Sequence, residues 1–552
     1  MSHHASDYRH DPLLDAGRRR DGVIELFLDD ERLSWQQNVE RRVRQPDIAS
    51  GGPLMNRDHP WESRSLGNFS SVLWGEDRKH FRLWYAAVGR NERVLEKNQV
   101  SLAYAQSADG LTWEKPMMDH VAYGDVTSTN LVLGPQTNPH GTCVLVNQHS
   151  DDPSQKYLAY FDSYPAQREG SPRHAGRGTY WATSPDGIRW TPPLGTPAVS
   201  GKSDTQQSVV WVPGAQQYVA YMRGTRATNE PFGQPFGELQ RVRYVRAAWS
   251  RDFTDWSRPI ELMRADERDG DPDVQIHEFT VTRRGDQFIA LAGMMRISQL
   301  LPSETYLTLE EAMCDVELLT SRDGLHWHRV ADRQVFMPAD AGPADYDHRR
   351  ATSETPRARN AEMNESGHYE GGAKISIDTG RITRSTTFYM LGAHLLFDDE
   401  KVYVFHGSTN AWRKEGRGYA LGLATLPRDR FQAIKPRRLA QPGVLETRPL
   451  YFDATGDLIV NADASLGQLT AELVDFNGCV IEGFEEDRCV PMKTDSYDHP
   501  LRWRSESGTV GLGQAVETVQ ADATLAEYPG IRIRFYLRQA WLYAVEWPLH
   551  ED

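Results

Sequence analysis

Cysteine is scarce. The 552-residue chain has four, Cys143, Cys314, Cys479 and Cys489, too scattered for a disulfide framework or for the close pairs of a zinc knuckle, so they read as core thiols. Positive charge is short as well: 62 Lys and Arg against 77 Asp and Glu leave −15, the wrong sign for nucleic acid or an anionic membrane as main partner. No apolar run approaches the roughly 18 residues that cross a bilayer. The polar N-terminus carries Arg18, Arg19 and Arg20 with no apolar stretch behind them, so no secretory signal is expected. A cytoplasmic protein without cofactor or metal is the expectation.

Aromatic residues are abundant, with 15 Trp and 22 Tyr. Most must be structural, but exposed ring faces suit sugar-binding clefts, where they stack on C–H surfaces. A repeat organises the chain. Ser107-Ala-Asp-Gly-Leu-Thr-Trp113, Ser184-Pro-Asp-Gly-Ile-Arg-Trp190, Ser250-Arg-Asp-Phe-Thr-Asp-Trp256 and Ser321-Arg-Asp-Gly-Leu-His-Trp327 all run Ser-x-Asp-x-x-x-Trp, and their tryptophans lie 77, 66 and 71 residues apart. That is the length of one four-stranded sheet with generous loops. Asp and Gly make a tight turn, Ser and Asp satisfy its amides, and Trp packs it down, so the box is structural.

Short alternating segments bounded by Gly, Pro and Asp surround each box and read as strands. A fifth unit ends in Leu426-Pro-Arg-Asp-Arg-Phe431 where the box would be. The reading is all-β: a five-bladed β-propeller over residues 51–438, a C-terminal β-sandwich over 439–552, and an N-terminal extension, 1–50, packing on the propeller from outside. The polar stretch Ala339 to Arg381 is either a lid, with Tyr346, His348, Glu362 and Tyr369 over the funnel, or a disordered tether.

In a propeller the innermost strands converge at one end of the axis, so acids at their starts are the candidates for chemistry. The first unit offers Asn56, Asp58, His59, Trp61 and Glu62. The second offers Asn130, the third Asp204, and the fourth Asp273, His277 and Glu278. Asp204 and Glu278 interrupt neutral or apolar strand openings and need a partner or a purpose there. Each could instead cap a turn or pair with an Arg such as Arg223. Asp204 and Glu278 are 74 residues apart and Asp58 lies 146 before Asp204, about one and two box periods.

Five blades, the Ser-x-Asp-Gly-x-x-Trp boxes, acids on units one, three and four, and a trailing sandwich together resemble the furanosidase-type glycoside hydrolases of families 32 and 43. Met55-Asn-Arg-Asp58-His-Pro departs from the Trp-Met-Asn-Asp-Pro-Asn-Gly segment of family 32. Ser203-Asp204-Thr205 and His277-Glu278-Phe279 stand for its Arg-Asp-Pro and Glu-Cys. The resemblance implies a fructosyl or arabinofuranosyl substrate. It makes Asp58 the nucleophile or base, Glu278 the general acid and Asp204 a fixed anion stabilising the transition state. Asn56, His59, Trp61, Glu62, Asn130, Arg223, Asp273, His277 and His406 are the expected substrate contacts. Three acids in one funnel are expected to raise the pKa of at least one.

Two other classes stay open. A mannoside phosphorylase of the family 130 type would need Arg223, Arg226, His277 and His406 to hold phosphate. A non-catalytic carbohydrate-binding propeller would use its axial acids only for turns or a cation. A sialidase fits less well, because its box has one more residue between Asp and Gly.

Overall fold

The computed structural model describes residues 13–17, 22–49, 54–89, 99–163, 176–191, 196–227, 241–269, 274–296, 313–339, 387–410, 420–452 and 456–548. The chain is mostly β, in several antiparallel sheets. Three four-stranded sheets follow one another: Ser65–Trp74 to Leu131–Leu133, His140–Val146 to Val199–Ser200, and Ser208–Val212 to Ile260–Met263. A fourth group, Val274–Arg284, Gln287–Arg296 and Met313–Ser321 with two short edge pieces, is joined to a fifth by one parallel bridge, Cys314 to Phe388. In the fifth, Thr387–Leu391, Lys401–Asn410 and Ala420–Pro427 accept as outer strand the N-terminal Asp47–Ile48.

Each of the four boxes follows the third strand of its group and turns as the sequence implies. The Ser Oγ accepts the N–H of the fourth box residue at 2.8 to 2.9 Å, and the Trp indole donates to that residue's carbonyl at 3.0 to 3.2 Å. That fourth residue has φ near 75° as Gly110, Gly187 and Gly324, and 68° as Phe253, left-handed backbone that Gly adopts without strain. The fifth unit has no such box. Its Asp429 takes a bidentate bond from Arg284 (2.8 and 2.9 Å), while Arg428 reaches Asp498 and Arg430 reaches Asn461 in the C-terminal sheets. The box is thus exchanged for a docking element.

The inner edges of the groups are stitched in sequence. Val144 N–H donates to Ser71 Oγ, Gln207 N–H to Gly141 O, Val281 N–H to Ser208 Oγ, Leu395 N–H to Thr282 Oγ1, and Ala393 N–H to Ser70 O, each at 2.8 Å. The last of these brings the fifth group back to the first.

Two further sheets, of six and four strands, combine the strands beyond residue 440 with Gln432–Pro436 and N-terminal strands, and their apolar faces share one cluster that includes Leu445, Leu473, Trp503, Phe535 and Trp547. Trp541–Trp547 is a central strand and Leu512–Ala521 a helix, neither anticipated. The helix buries Leu512, Ala515, Val516 and Val519, the spacing of one helical face. The segment expected to lie against the propeller from outside does more than that. Val23–Glu25, Leu33–Gln37 and Val39–Val43 are strands of these C-terminal sheets. Ile24, Leu26 and Leu28 meanwhile pack against Ile289, Leu291 and Leu318 of the fourth group. Among the described residues no helix is long and apolar enough to cross a membrane.

Replacing Asp186 by Ala removes the acceptor of the Ile188 and Arg189 N–H groups (2.9 and 2.8 Å). The expected cost is about 1–2 kcal/mol of folding stability, read by urea unfolding; an unchanged midpoint would deny the turn role.

Candidate active site

The first strands of the second, third and fourth groups begin at one end, and a charged cluster collects there. Asp204 lies in the non-strand segment Ser203–Gln207 that enters the third group. Its carboxylate pairs with Lys202 Nζ at 2.7 Å, Arg223 Nη2 at 3.0 Å and His140 Nε2 at 3.4 Å, and its side chain is 38% exposed. Burial pushes its pKa up, but His140, Arg223 and Lys202 outweigh burial and hold it well below the usual carboxylate range.

Arg223 is buried and also donates through Nη1 to His277 Nε2 at 3.1 Å. That places the ring proton on Nδ1, which stands 3.9 Å from Glu278 Oε1. Burial, with Arg223 and Arg243 nearby, holds His277 far below its ordinary pKa, so it is neutral. Glu278 is buried, and its oxygens accept the N–H groups of Leu391 and, at 3.5 Å, Gln206. Burial nevertheless pushes its pKa up to about 8. The cause differs from the one expected: desolvation raises it, and no neighbouring acid is needed.

Sequence reasoning missed several members, Lys202 among them. Asp162 is buried, accepts the Ser203 N–H at 3.2 Å and is pushed up by burial to about 7. Arg177 lies 3.8 Å from it. His140 packs edge-on against Phe69 at 4.6 Å. Arg243 donates to Gln275 Oε1 at 2.9 Å. Asp162 had a signal, since it ends the otherwise apolar strand Tyr157–Ser163 just as Glu278 interrupts its own. Arg243 had one in the basic alternation Arg241-Val-Arg-Tyr-Val-Arg246.

Asp58 belongs to a different network. Its carboxylate is 57% exposed and meets Lys115 Nζ at 3.3 Å, while the same ammonium lies 2.9 Å from Glu62. Glu62 is fully buried, accepts the Tyr85 hydroxyl at 2.6 Å and caps the Asp58 and His59 N–H groups at 3.0 and 3.3 Å. Trp61 is buried and donates to Asn130 Oδ1 at 2.8 Å, and Asn130 in turn bonds Tyr85 and the Tyr104 carbonyl. Glu62, Trp61 and Asn130 are therefore consumed by the fold of the first group and not free to hold substrate. Asn56 is exposed, and His59 stacks on Trp61 at 4.6 Å. Asp58 stands outside the Asp204 cluster, ahead of the Pro60–Glu62 turn, and the first group meets His140 through Phe69.

His406 is buried elsewhere, edge-on to Tyr389 at 5.1 Å and against Gly422, and burial lowers it to about 4. Arg226 is exposed. The four-residue phosphate set thus comes together only as Arg223 and His277. Asp273 and the stretch 340–381, with Tyr346, His348, Glu362 and Tyr369, lie outside the described residues. Among the described residues no group of three His, Cys, Asp or Glu side chains is arranged to hold a metal.

Gly141 keeps the Asp204 segment in place. At φ 61° its Cα lies so close to Thr205 that a Cβ would stand 1.7 Å from the Thr205 carbonyl oxygen.

No protein-family description matches the chain, and no curated protein matches it. Solved structures give distant similarities. A member of the family 130 mannoside phosphorylases, described as containing hydrolases of β-1,2 mannosidic linkages in Candida mannan, is 14% identical over 70% of this chain and 94% of its own, TM-score 0.39. A Bacteroides ovatus glycosyl hydrolase is 15% identical over 74% and 96%, TM-score 0.36. The family 93 α-L-arabinofuranosidase of Fusarium graminearum, solved with arabinobiose, is 10% identical over 71% and 98%, TM-score 0.35. At these scores neither a shared fold nor a shared activity follows, and any functional reading has to stand on the cluster itself.

Glu278 and Asp162 make stability depend on pH. Both are raised on folding, from 4.5 to about 8 and from 3.8 to about 7. Their stabilisation is complete below the unfolded values and lost as pH rises through the folded ones. Urea-unfolding free energy should fall from about pH 5 to 8, and Glu278→Gln should flatten the upper part of that fall. A wild-type profile that is flat over this window contradicts the assignment.

Proposed function

We propose that the chain is a glycoside hydrolase acting on furanoside-type sugars, fructosyl or arabinofuranosyl, with Asp204 and Glu278 as its working carboxyl groups. One observation carries the reading: a single cluster holds one carboxylate ionised and half-exposed and keeps a second carboxyl neutral at pH 7. Environments that push two acids apart in this way assign an acid and a base. Glycosidic cleavage requires such a pair. Asp204 stabilises the oxocarbenium-like transition state or activates water, and Arg223 orients it. Glu278 protonates the leaving oxygen. Thr205 and Gln206, in the same short segment that carries Asp204, touch its Oε1 at 3.4 and 3.5 Å, so the segment that would seat substrate also contacts the acid.

The architecture that goes with this reading is five blades over 51–438 closed by Asp47–Ile48, then a β-sandwich over 439–552 that also takes in strands from 1–50 and the last strand of the first span, Gln432–Pro436. The stitched inner edges and the repeating box support it.

Release of reducing sugar from fructans, arabinans and small aryl furanosides, with and without phosphate, tests the activity. Asp204→Asn and Glu278→Gln should each lower kcat about 10²- to 10⁴-fold. Glu278→Gln should spare aryl substrates, whose leaving groups need little protonation. Asp58→Asn should alter kcat by less than about threefold, because losing one exposed ion pair changes little. Full activity of both the Asp204 and Glu278 variants on a demonstrated substrate overturns the reading.

A further inference from the structure

Five cationic side chains gather at this end of the third group, four around Asp204 and Asp162 on one side and Arg246 on the opposite face of its strand. Lys202 and Arg223 pair with Asp204. Arg177 faces Asp162. Arg246 donates only to backbone carbonyls, those of Ser200, Gly201 and Lys202, at 3.2, 3.1 and 3.4 Å. Arg243 is held by the neutral amide of Gln275. Among the described residues neither Arg243 nor Arg246 has an ion-pair partner, and the Nε of each is buried without an acceptor. A guanidinium in that position costs free energy unless an anion arrives.

The register makes the arrangement a fork. On the paired strands Gln217–Ala227 and Arg241–Ser250, Arg223 faces Val245 and Thr225 faces Arg243, which sets Arg223 and Arg243 on one face as diagonal neighbours. Arg243 feels both its burial and its neighbour: its pKa is lowered to about 9 by burial and then by Arg223. A chain of net charge −15 repels anions elsewhere on its surface, so cations gathered and left unpaired at one spot mark what that spot is built to take.

We propose that Arg243, beside Arg223 on the same face of the sheet, forms a subsite for an oxyanion carried by the sugar substrate, so that the enzyme selects acidic sugars over neutral ones. The inference rests on the glycosidase reading above and adds the substrate's charge to it. A carboxylate presents two oxygens at the spacing of the guanidinium fork. A single negative charge is also tolerated beside ionised Asp204 better than the double charge of phosphate.

Calorimetric titration of the full-length protein with D-glucuronate, D-glucose and inorganic phosphate separates the sources of the anion without relying on turnover. Glucuronate should bind about 10- to 100-fold more tightly than glucose, the range of a charge-assisted pair. Arg243→Gln should abolish that preference, Arg243→Lys should restore part of it, and raised salt should weaken it. Arg243→Lys is the independent variant should Arg243→Gln not fold, while Arg246→Gln, on the opposite face of the same strand, should leave the preference unchanged. Equal binding of the two sugars, a preference untouched by Arg243→Gln, or one lost equally in Arg246→Gln, overturns the proposal. So does Arg243-dependent binding of phosphate without preference for glucuronate, because the anion would then be free and not borne by sugar. If glucuronate binds as expected while no glycoside is cleaved, the hydrolase reading falls and the subsite stands. If neutral furanosides are cleaved and acidic sugars gain nothing, the subsite falls alone.

Discussion

The first strand of each successive sheet presents unpaired backbone N–H and C=O groups to the neighbouring group, where they are buried. Each such group left unpaired costs about 1–3 kcal/mol. The chain meets the demand with short polar side chains from the neighbouring group: Ser71, Ser208 and Thr282 accept inner-edge amides, and Gln206 bridges the Ser70 N–H to the Thr142 carbonyl at 3.1 and 2.9 Å. These buried hydroxyls and amides carry no catalytic signature, yet without them the groups could not approach.

The charged site grows out of the same requirement. Glu278 accepts the Leu391 and Gln206 N–H groups, so it ties three groups together while its burial keeps it protonated. Gly141 lets the Ser203–Gln207 segment come down onto the second group, and that segment delivers Asp204 to the cations. Stability and chemistry here use the same few residues, so any change of the acid is also a change at the seam between sheets.

Much of this was legible in the sequence. The boxes gave the period, because a turn that needs Ser, Asp, a left-handed residue and Trp leaves a trace at fixed offsets. Alternation located the strands well, with Phe81–Gly89 and Gln287–Arg296 running a few residues longer than the apolar core of each suggested. Period counting brought Asp204 and Glu278 to neighbouring places, Asp204 four residues before its strand and Glu278 four residues into its own. It failed for Asp58, which precedes its strand by a turn, Pro60–Glu62, that moves it out of step. Arg177 and Lys202 left no trace because they act from connecting segments, where no periodicity constrains residue type. The pairing of Val23–Glu25 with Trp541–Trp547 is likewise silent, since neither strand encodes its partner.

That last pairing sets a condition on biosynthesis. Residues 23–25 leave the ribosome first and must wait for residues 541–547 before their ladder can close. Asp47–Ile48 waits for Ala420–Pro427 in the same way. A nascent chain thus carries its N-terminal strands unmatched through nearly the whole of translation, at the usual rate of about 5–20 residues per second. Exposed strand edges of that kind recruit other chains. The charges of Glu40, Arg41 and Arg42 within Val39–Val43 are suited to keeping that waiting edge soluble until its partners emerge.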